Sequence, residues 1–340
     1  MRLFNDYGIL NNRYGNNVKA FGGMYSENLI KMIKDVWRII MEENATRELK
    51  ENELNQLHKC LLSILKDFTY VCEKYNLRYT LGGGSVLGAV RHHGFIPWDD
   101  DLDINMPRAD YEKFKNLFVN ELSEEYELQV PNSLYGSTTP FMKLLKKGTV
   151  YRQQFSYLKE EFPYIWIDIF PFDFVPENKL KRFMKGHVSQ ILDYLFVGRY
   201  IFEHRNQTTD TYYRNYYKKK NKEWIFTVRM LLAKYCPFNS GTLFNYFDYF
   251  VQSKKESSLL TCATGRKGYL GEISDARYFE QAEDGNFEGL KVKLPFLCKN
   301  YLTRLYGNYM EIPPVEKREH HVTTEFFIAK DVCFKVNESK

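Results

Sequence analysis

The run Arg78-Tyr79-Thr80-Leu81-Gly82-Gly83-Gly84-Ser85-Val86-Leu87-Gly88-Ala89-Val90 and the run Asp99-Asp100-Asp101-Leu102-Asp103-Ile104-Asn105-Met106, joined by a turn through Gly94 and Pro97, decide the fold class. Arg78 to Leu81 is short and rich in strand formers, and the glycines after it read as a turn. Val86 to Val90 is an apolar helical segment. Asp101 to Met106 alternates polar and apolar residues with a period of two, the mark of a half-buried strand. A strand, a turn, a helix and a second strand in this order predict an α/β (α+β) core with a mixed sheet flanked by helices.

The same stretch carries the chemistry. Glycines between a strand and a helix permit a tight turn and close backbone approach, while the helix N-terminus offers unpaired N–H groups to an anion such as a phosphate. On an extended chain Asp101 and Asp103 project to one face, about 6.5–7 Å apart along the backbone, near enough to converge on one or two hard cations. Carboxylates this crowded repel one another unless solvent or a divalent ion offsets them, and magnesium is the natural candidate. A third acid is expected on a neighbouring strand. Ile165-Trp166-Ile167-Asp168-Ile169-Phe170 supplies Asp168 in an otherwise hydrophobic run, where a charge needs a partner. Three carboxylates holding two metals can orient a nucleotide phosphate and stabilise the leaving oxygen.

Working outward, apolar residues at helical spacing predict two long helices, one over residues 27–44 (Ile30, Ile33, Trp37, Ile40) and one over 46–75 (Leu54, Leu57, Leu61, Leu65, Phe68). A helix is expected over 109–122, a strand near 128–130, paired strands near 141–147 and 150–155, and a strand over 164–169. From 178 to 250 the chain turns helical, basic and aromatic, as in Tyr212-Tyr213-Arg214-Asn215-Tyr216-Tyr217-Lys218-Lys219-Lys220. That segment is either a helical layer with solvated lysines or a basic-aromatic surface resting on lipid head groups. Strands are expected near 269–272 and 290–292, and a helix from Cys298 to Tyr306 that stops at Gly307. The expected division is an N-terminal helical segment (1–75), a catalytic core (76–177), a helical basic-aromatic subdomain (178–258) and a C-terminal mixed region completing the site (259–340).

Composition narrows the class. With 340 residues, 44% apolar and 27% charged, the chain can bury a real core, and its length allows about two domains. No run is long and apolar enough to cross a bilayer, and the start lacks an apolar segment with a cleavage site, so a cytoplasmic location is expected. Cys60, Cys72, Cys236, Cys262, Cys298 and Cys333 show no zinc or redox spacing and are expected to be reduced. A net charge of +5 suits a polyanionic substrate or an acidic membrane surface and does not imply nucleic-acid binding.

The order of these parts resembles the signature of the nucleotidyltransferase fold. More specifically, three segments resemble the LicD family: Tyr79 through Ile104, Ile167-Asp168-Ile169-Phe170-Pro171-Phe172-Asp173, and Tyr306-Gly307-Asn308-Tyr309-Met310 through Pro313-Pro314 to Arg318-Glu319-His320-His321. LicD proteins are bacterial phosphotransferases that move phosphocholine from CDP-choline onto cell-surface glycans, and they are related to fukutin and fukutin-related protein. One difference is Gly82, where the family often has Asp. Residues 178–250 contain no matching motif.

The resemblance implies Asp101 and Asp103 as the metal-binding pair and Asp168 as the third carboxylate, with Asp99 a further candidate ligand. Gly83, Gly84 and Ser85 would hold the donor phosphate. Arg91 would neutralise pyrophosphate oxygens or pair with the acidic loop, and Lys143 carries the same alternatives. His320 and His321 would orient or deprotonate the acceptor hydroxyl, contact phosphate, or do neither. Trp98 is expected to pack beneath the acidic loop. Implied are Mg2+ or Mn2+, a nucleotide-linked donor such as CDP-choline, and a glycan or lipid-linked glycan acceptor. No nucleic-acid partner is implied, and the implied location is the cytoplasm, with peripheral contact at the inner face of the membrane. Two other functions fit the residues. One keeps the fold but transfers a nucleoside monophosphate from a nucleoside triphosphate, with pyrophosphate leaving. The other is a calcium-binding module, since Asp99, Asp101, Asp103 and Asp110 fall at positions 1, 3, 5 and 12 of an EF-hand-like loop, although Ile104 stands where that loop needs Gly.

Overall fold

A computed structural model describes residues 47–131, 139–153, 163–205, 207–318, 321–329 and 332–333. Apart from Arg47 these belong to one structural unit beginning at Glu48. The helix expected over 27–44 and His320 lie outside the described residues.

Helix α1 (Glu51–Lys74) forms where the apolar period is 3.6: Leu57, Leu61, Ile64, Leu65, Phe68 and Val71 share its buried face. Glu51 and Glu53 in its first turn and Lys74 in its last complement the helix dipole. Asn76, in the left-handed region at φ 49°, ends it. Strand β1 (Thr80–Leu81), helix α2 (Gly83–His92), strand β2 (Asp103–Pro107) and helix α3 (Arg108–Glu121) follow in the predicted order. They continue into β3 (Tyr126–Gln129), β4 (Met142–Lys146), β5 (Thr149–Gln153) and β6 (Ile165–Phe174).

The main sheet runs β1-β2-β6-β4-β3 and extends from β6 through β7 (Leu259–Thr261) to β8 (Ser274–Asp275). Strands β2 and β6 are parallel and the other pairs antiparallel, so the sheet is mixed. In register, Asp103 lies beside Asp168, and Asp168 beside Lys143. Strand β6 tolerates Pro171 because β4 pairs with it only as far as Ile169 and β7 begins pairing at Asp173, leaving the proline between the two ladders.

Three sequence expectations are corrected. The strands near 141–147 and 150–155 do not pair with each other: β3 and β6 already occupy both edges of β4, and β5 pairs instead with β11 (Thr323–Ile328). The strand expected at 269–272 is a short helix, α8 (Gly268–Gly271), because Gly268 turns the chain at φ 63°. Two of the six cysteines are not thiols. Cys60 on α1 is disulfide-bonded to Cys333, 273 residues away, with their Cα atoms 5.0 Å apart. The return of the chain through β11 brings them together, which local spacing cannot reveal.

The basic-aromatic stretch forms helices α4 (Lys179–His204), α5 (Gln207–Lys219), α6 (Glu223–Tyr235) and α7 (Ser240–Val251). They carry their own core, in which Val175, Phe196, Tyr200, Leu243, Phe244 and Phe247 are buried together. After β8 come a short helix α9 (Arg277–Glu280), the hairpin β9 (Glu283–Phe287) and β10 (Leu290–Leu294), and α10 (Cys298–Tyr306), which Gly307 terminates as expected.

Candidate active site

The acidic residues converge where α2 meets β2. Gly83 sits at φ 40°, and a Cβ there would stand 2.6 Å from Asp103 Oδ2; one on Gly84 would stand 2.9 Å from Asp99 Oδ2. Gly83 is thus favoured by its backbone conformation, and a side chain at either position would displace the carboxylate that rests against the first turn of the helix. The Gly83 N–H donates to Tyr301 Oη at 2.9 Å, so an α10 side chain takes the first free amide of α2. Ser85 is buried, and its Oγ accepts the N–H of Asp103 at 2.9 Å, locking the helix to the acidic strand.

Burial, reinforced by neighbouring carboxylates, pushes Asp99 and Asp103 well above the usual carboxylate range. The same causes, burial first and Asp100 next, raise Asp101 to about 6. Asp168 is raised by burial against the pull of Lys143, whose Nζ lies 3.4 Å from Asp168 Oδ1 and 3.8 Å from the centre of the Trp166 ring. Asp168 Oδ1 is buried and accepts no hydrogen bond. On Asp100 burial is outweighed by hydrogen bonds from Tyr151 and His321, which hold the carboxyl below its ordinary value. His321 answers from the far end of the chain. Its Nδ1 lies 2.7 Å from Asp100 Oδ1, its backbone N–H donates to Oδ2, and the Asp100 carboxylate pushes its pKa up to about 9. Because the folded value lies above the ordinary 6.5, this pair's stabilisation is complete below pH 6.5 and is lost as pH rises through about 9.

A cavity of about 730 Å³ opens over this floor. Gly83, Gly84, Arg91, Asp99, Asp101 and Asp103 line it, whereas Ser85, Lys143, Asp168 and His321 do not. Arg91 Nη1 donates to the carbonyls of Tyr309 and Glu311, which ties α2 to the loop after α10. Of the wall facing the acids, Arg266, Lys267 and Tyr301 were not singled out in the sequence, whereas Tyr306, Lys317 and Arg318 fall in the segment that resembles the LicD family. Arg266 and Lys267 before α8, Tyr301 and Tyr306 on α10, and Lys317 and Arg318 beyond it form that wall. The Arg318 guanidinium lies 4.1 Å from the centre of the Trp98 ring, so Trp98 is anchored from the C-terminal side. Asp100 was likewise missed as a separate participant, since nothing local distinguishes it from its neighbours.

An acidic floor facing a basic wall suits a divalent cation that bridges to a polyphosphate. The residues fit such an ion. Asp99, Asp101 and Asp103 are crowded and desolvated, Asp168 retains an unsatisfied buried oxygen, and ligand atoms of Asp100, Asp101 and His321 lie within 4.8 Å of one another. Ile104 stands inside a paired strand, not at the turn that an EF-hand loop requires. Because the carboxyls must lose protons to bind metal, Mn2+ should bind about tenfold more weakly at pH 5 than at pH 7.5, the factor imposed by one carboxyl at about 6. Calorimetry across this range checks it, and equal affinity at pH 5 and pH 7.5 would refute the carboxylate assignment.

Residues 76–203 match the family model described as LicD/FKTN/FKRP, nucleotidyltransferase domain. Over 283 residues the chain is 27% identical to the lipopolysaccharide cholinephosphotransferase LicD of Haemophilus influenzae, a match covering 82% of this chain and all of that protein. A Rickettsia typhi protein is 28% identical over 165 residues, 46% of this chain and 49% of its own length. Human ribitol 5-phosphate transferase FKRP is 44% identical over 50 residues, 14% of this chain and 10% of that protein.

Proposed function

From the premise that this chain belongs to the LicD family, with its nucleotidyltransferase domain over residues 76–203, we propose that it transfers a phospho-alcohol, phosphocholine or a similar group. The donor is CDP-linked and the acceptor is a hydroxyl of a cell-surface glycan or its lipid-linked precursor. The observation that carries this reading is the set of desolvated carboxylates at the α2–β2 junction, facing Arg266, Lys267 and Arg318 across one cavity. Nucleoside monophosphate leaves: the acceptor oxygen forms a bond to the phosphorus bearing the alcohol, the bond from that phosphorus to the bridging oxygen breaks, and the hydroxyl proton goes to solvent or a base.

In this reading Asp101, Asp103 and Asp168 hold Mg2+ or Mn2+, with Asp99 beside them. Bound there, the ion neutralises phosphate oxygens and polarises phosphorus. Lys143 counters the burial that raises Asp168, and Ser85 holds Asp103 in place, so both support the carboxylates instead of gripping phosphate directly. Arg91 and the cations of the facing wall balance the diphosphate. His321 fixes Asp100 and thereby the loop carrying Asp99 and Asp101.

Incubation with CDP-choline, other nucleotide-linked donors and nucleoside triphosphates, each with Mg2+ and a glycan acceptor, tests the reading by its products. CMP together with a phosphocholine-bearing glycan is expected. Pyrophosphate release from a triphosphate would move the chain to nucleotidyl transfer, and no turnover of any donor would overturn both.

A further inference from the structure

Helix α6 is apolar on two sides. Its inner face, with Phe226 and Met230, is buried against Ile201 and Val197 of α4. Its outer face carries Trp224, Val228, Leu231 and Tyr235 at the i, i+4, i+7, i+11 spacing of a continuous helical stripe, and these side chains are 42–75% exposed. The N-terminal half of α4 repeats the pattern. Leu180, Phe183, Met184 and Ile191 lie along one side of that helix, each more than half exposed. The two helices are in contact, with Tyr194 Oη donating to the Ile225 carbonyl and Arg199 Nη1 to that of Ala233. Two exposed apolar stripes on touching helices are more than scattered surface leucines.

The charge around them identifies what covers them. Residues 178–235 contain thirteen Lys and Arg against four Asp and Glu, a net of +9 in a chain whose total is +5. A segment so charged repels a second copy of itself, and its apolar stripes gain nothing from a nucleic-acid backbone. Apolar side chains flanked by lysines, with a tryptophan and a tyrosine at the two ends of the α6 stripe, match the boundary between acyl chains and acidic headgroups. None of the described helices is long and apolar enough to cross a membrane, so α4 and α6 would lie along its surface.

We propose that α4 and α6 form a docking surface for an anionic lipid bilayer, with Trp224, Leu231 and Leu180 entering the headgroup boundary and Lys218, Lys219 and Lys220 attracted by lipid phosphates. The proposal stands apart from the transfer chemistry and can succeed or fail without it.

Flotation of the full chain with phosphatidylcholine vesicles, with and without about 30 mol% phosphatidylglycerol, tests it. Binding is expected only to the anionic vesicles and should weaken at high salt. Trp224→Ser with Leu231→Ser should reduce it roughly tenfold or more, as should the Lys218→Glu, Lys219→Glu, Lys220→Glu triple variant. These side chains are at the surface, so circular dichroism and melting should remain those of the parent. In the unaltered chain, lipids brominated near the headgroup should quench tryptophan fluorescence, and Trp224→Phe should remove that quenching. The proposal is overturned if the parent chain ignores anionic vesicles, if the variants bind as the parent does, or if sedimentation reveals a dimer that the Trp224→Ser, Leu231→Ser variant dissociates.

Discussion

Asp103→Asn is expected to cut transfer by about 10³-fold, the order that loss of one fixed electrostatic stabiliser costs, while raising the melting temperature of the metal-free protein. The two effects have one cause. Asp103 lies against the first turn of α2 and beside Asp168, and burial together with Asp101 and Asp168 pushes its pKa well above 3.8. A carboxyl whose folded pKa exceeds its unfolded value weakens the fold as pH rises past the unfolded value, and at neutral pH that cost is present. The amide keeps the shape and removes the charge. A gain near 1 kcal/mol would raise the melting temperature by roughly 1–2 °C in a chain of this length. Mn2+ should stabilise the parent strongly and the variant weakly. A variant that retains transfer, or that melts below the metal-free parent, would refute the assignment.

Arg108→Met is expected to destabilise the protein by about 3–5 kcal/mol, the cost of leaving a buried charge without its partner. Arg108 opens α3, and its Nε and Nη2 reach the two oxygens of Asp173 at 3.0 and 2.7 Å. Asp173 is 2% exposed at the end of β6, and Asp248 on α7 closes the cluster 3.0 Å from Nη2. One guanidinium thus fastens the parallel strands β2 and β6 to the helical layer. Burial alone would lower the Arg108 pKa, but the Asp173 carboxylate overrides this and raises it. Urea unfolding measures the loss, and Arg108→Met combined with Asp173→Leu should recover much of it because the remaining acid of the cluster, Asp248, is partly exposed to solvent. Equal losses in the single and double variants would mean that packing, not the ion pair, holds the joint.

What the sequence revealed about the fold and site was local. Period-two alternation at Asp101–Met106 and the glycine run before it place β2, α2 and the carboxylates Asp99, Asp101 and Asp103 together, because neighbours in sequence remain neighbours in the strand and turn. Asp168 was legible because a lone acid in a hydrophobic strand demands a partner, although the partner proved to be Lys143, on which the sequence placed a phosphate as one alternative. Ser85 and His321 were found as residues but not in their contacts, since Ser85 points at a backbone amide and His321 at Asp100. Arg266, Lys267 and Tyr301 left no local mark, whereas Tyr306 and Arg318 lie in the C-terminal segment that resembles the LicD family. They reach the cavity by long-range packing, as does the Cys60–Cys333 bond.

The acidic loop near residue 100 receives His321 and the cavity wall only from segments some two hundred positions further along the chain. During synthesis, the core strands therefore emerge with their negative charges bare and the pocket open on one side. If the proposed site carries the transfer, chains that end before residue 321 should be devoid of it, however well their central sheet has formed.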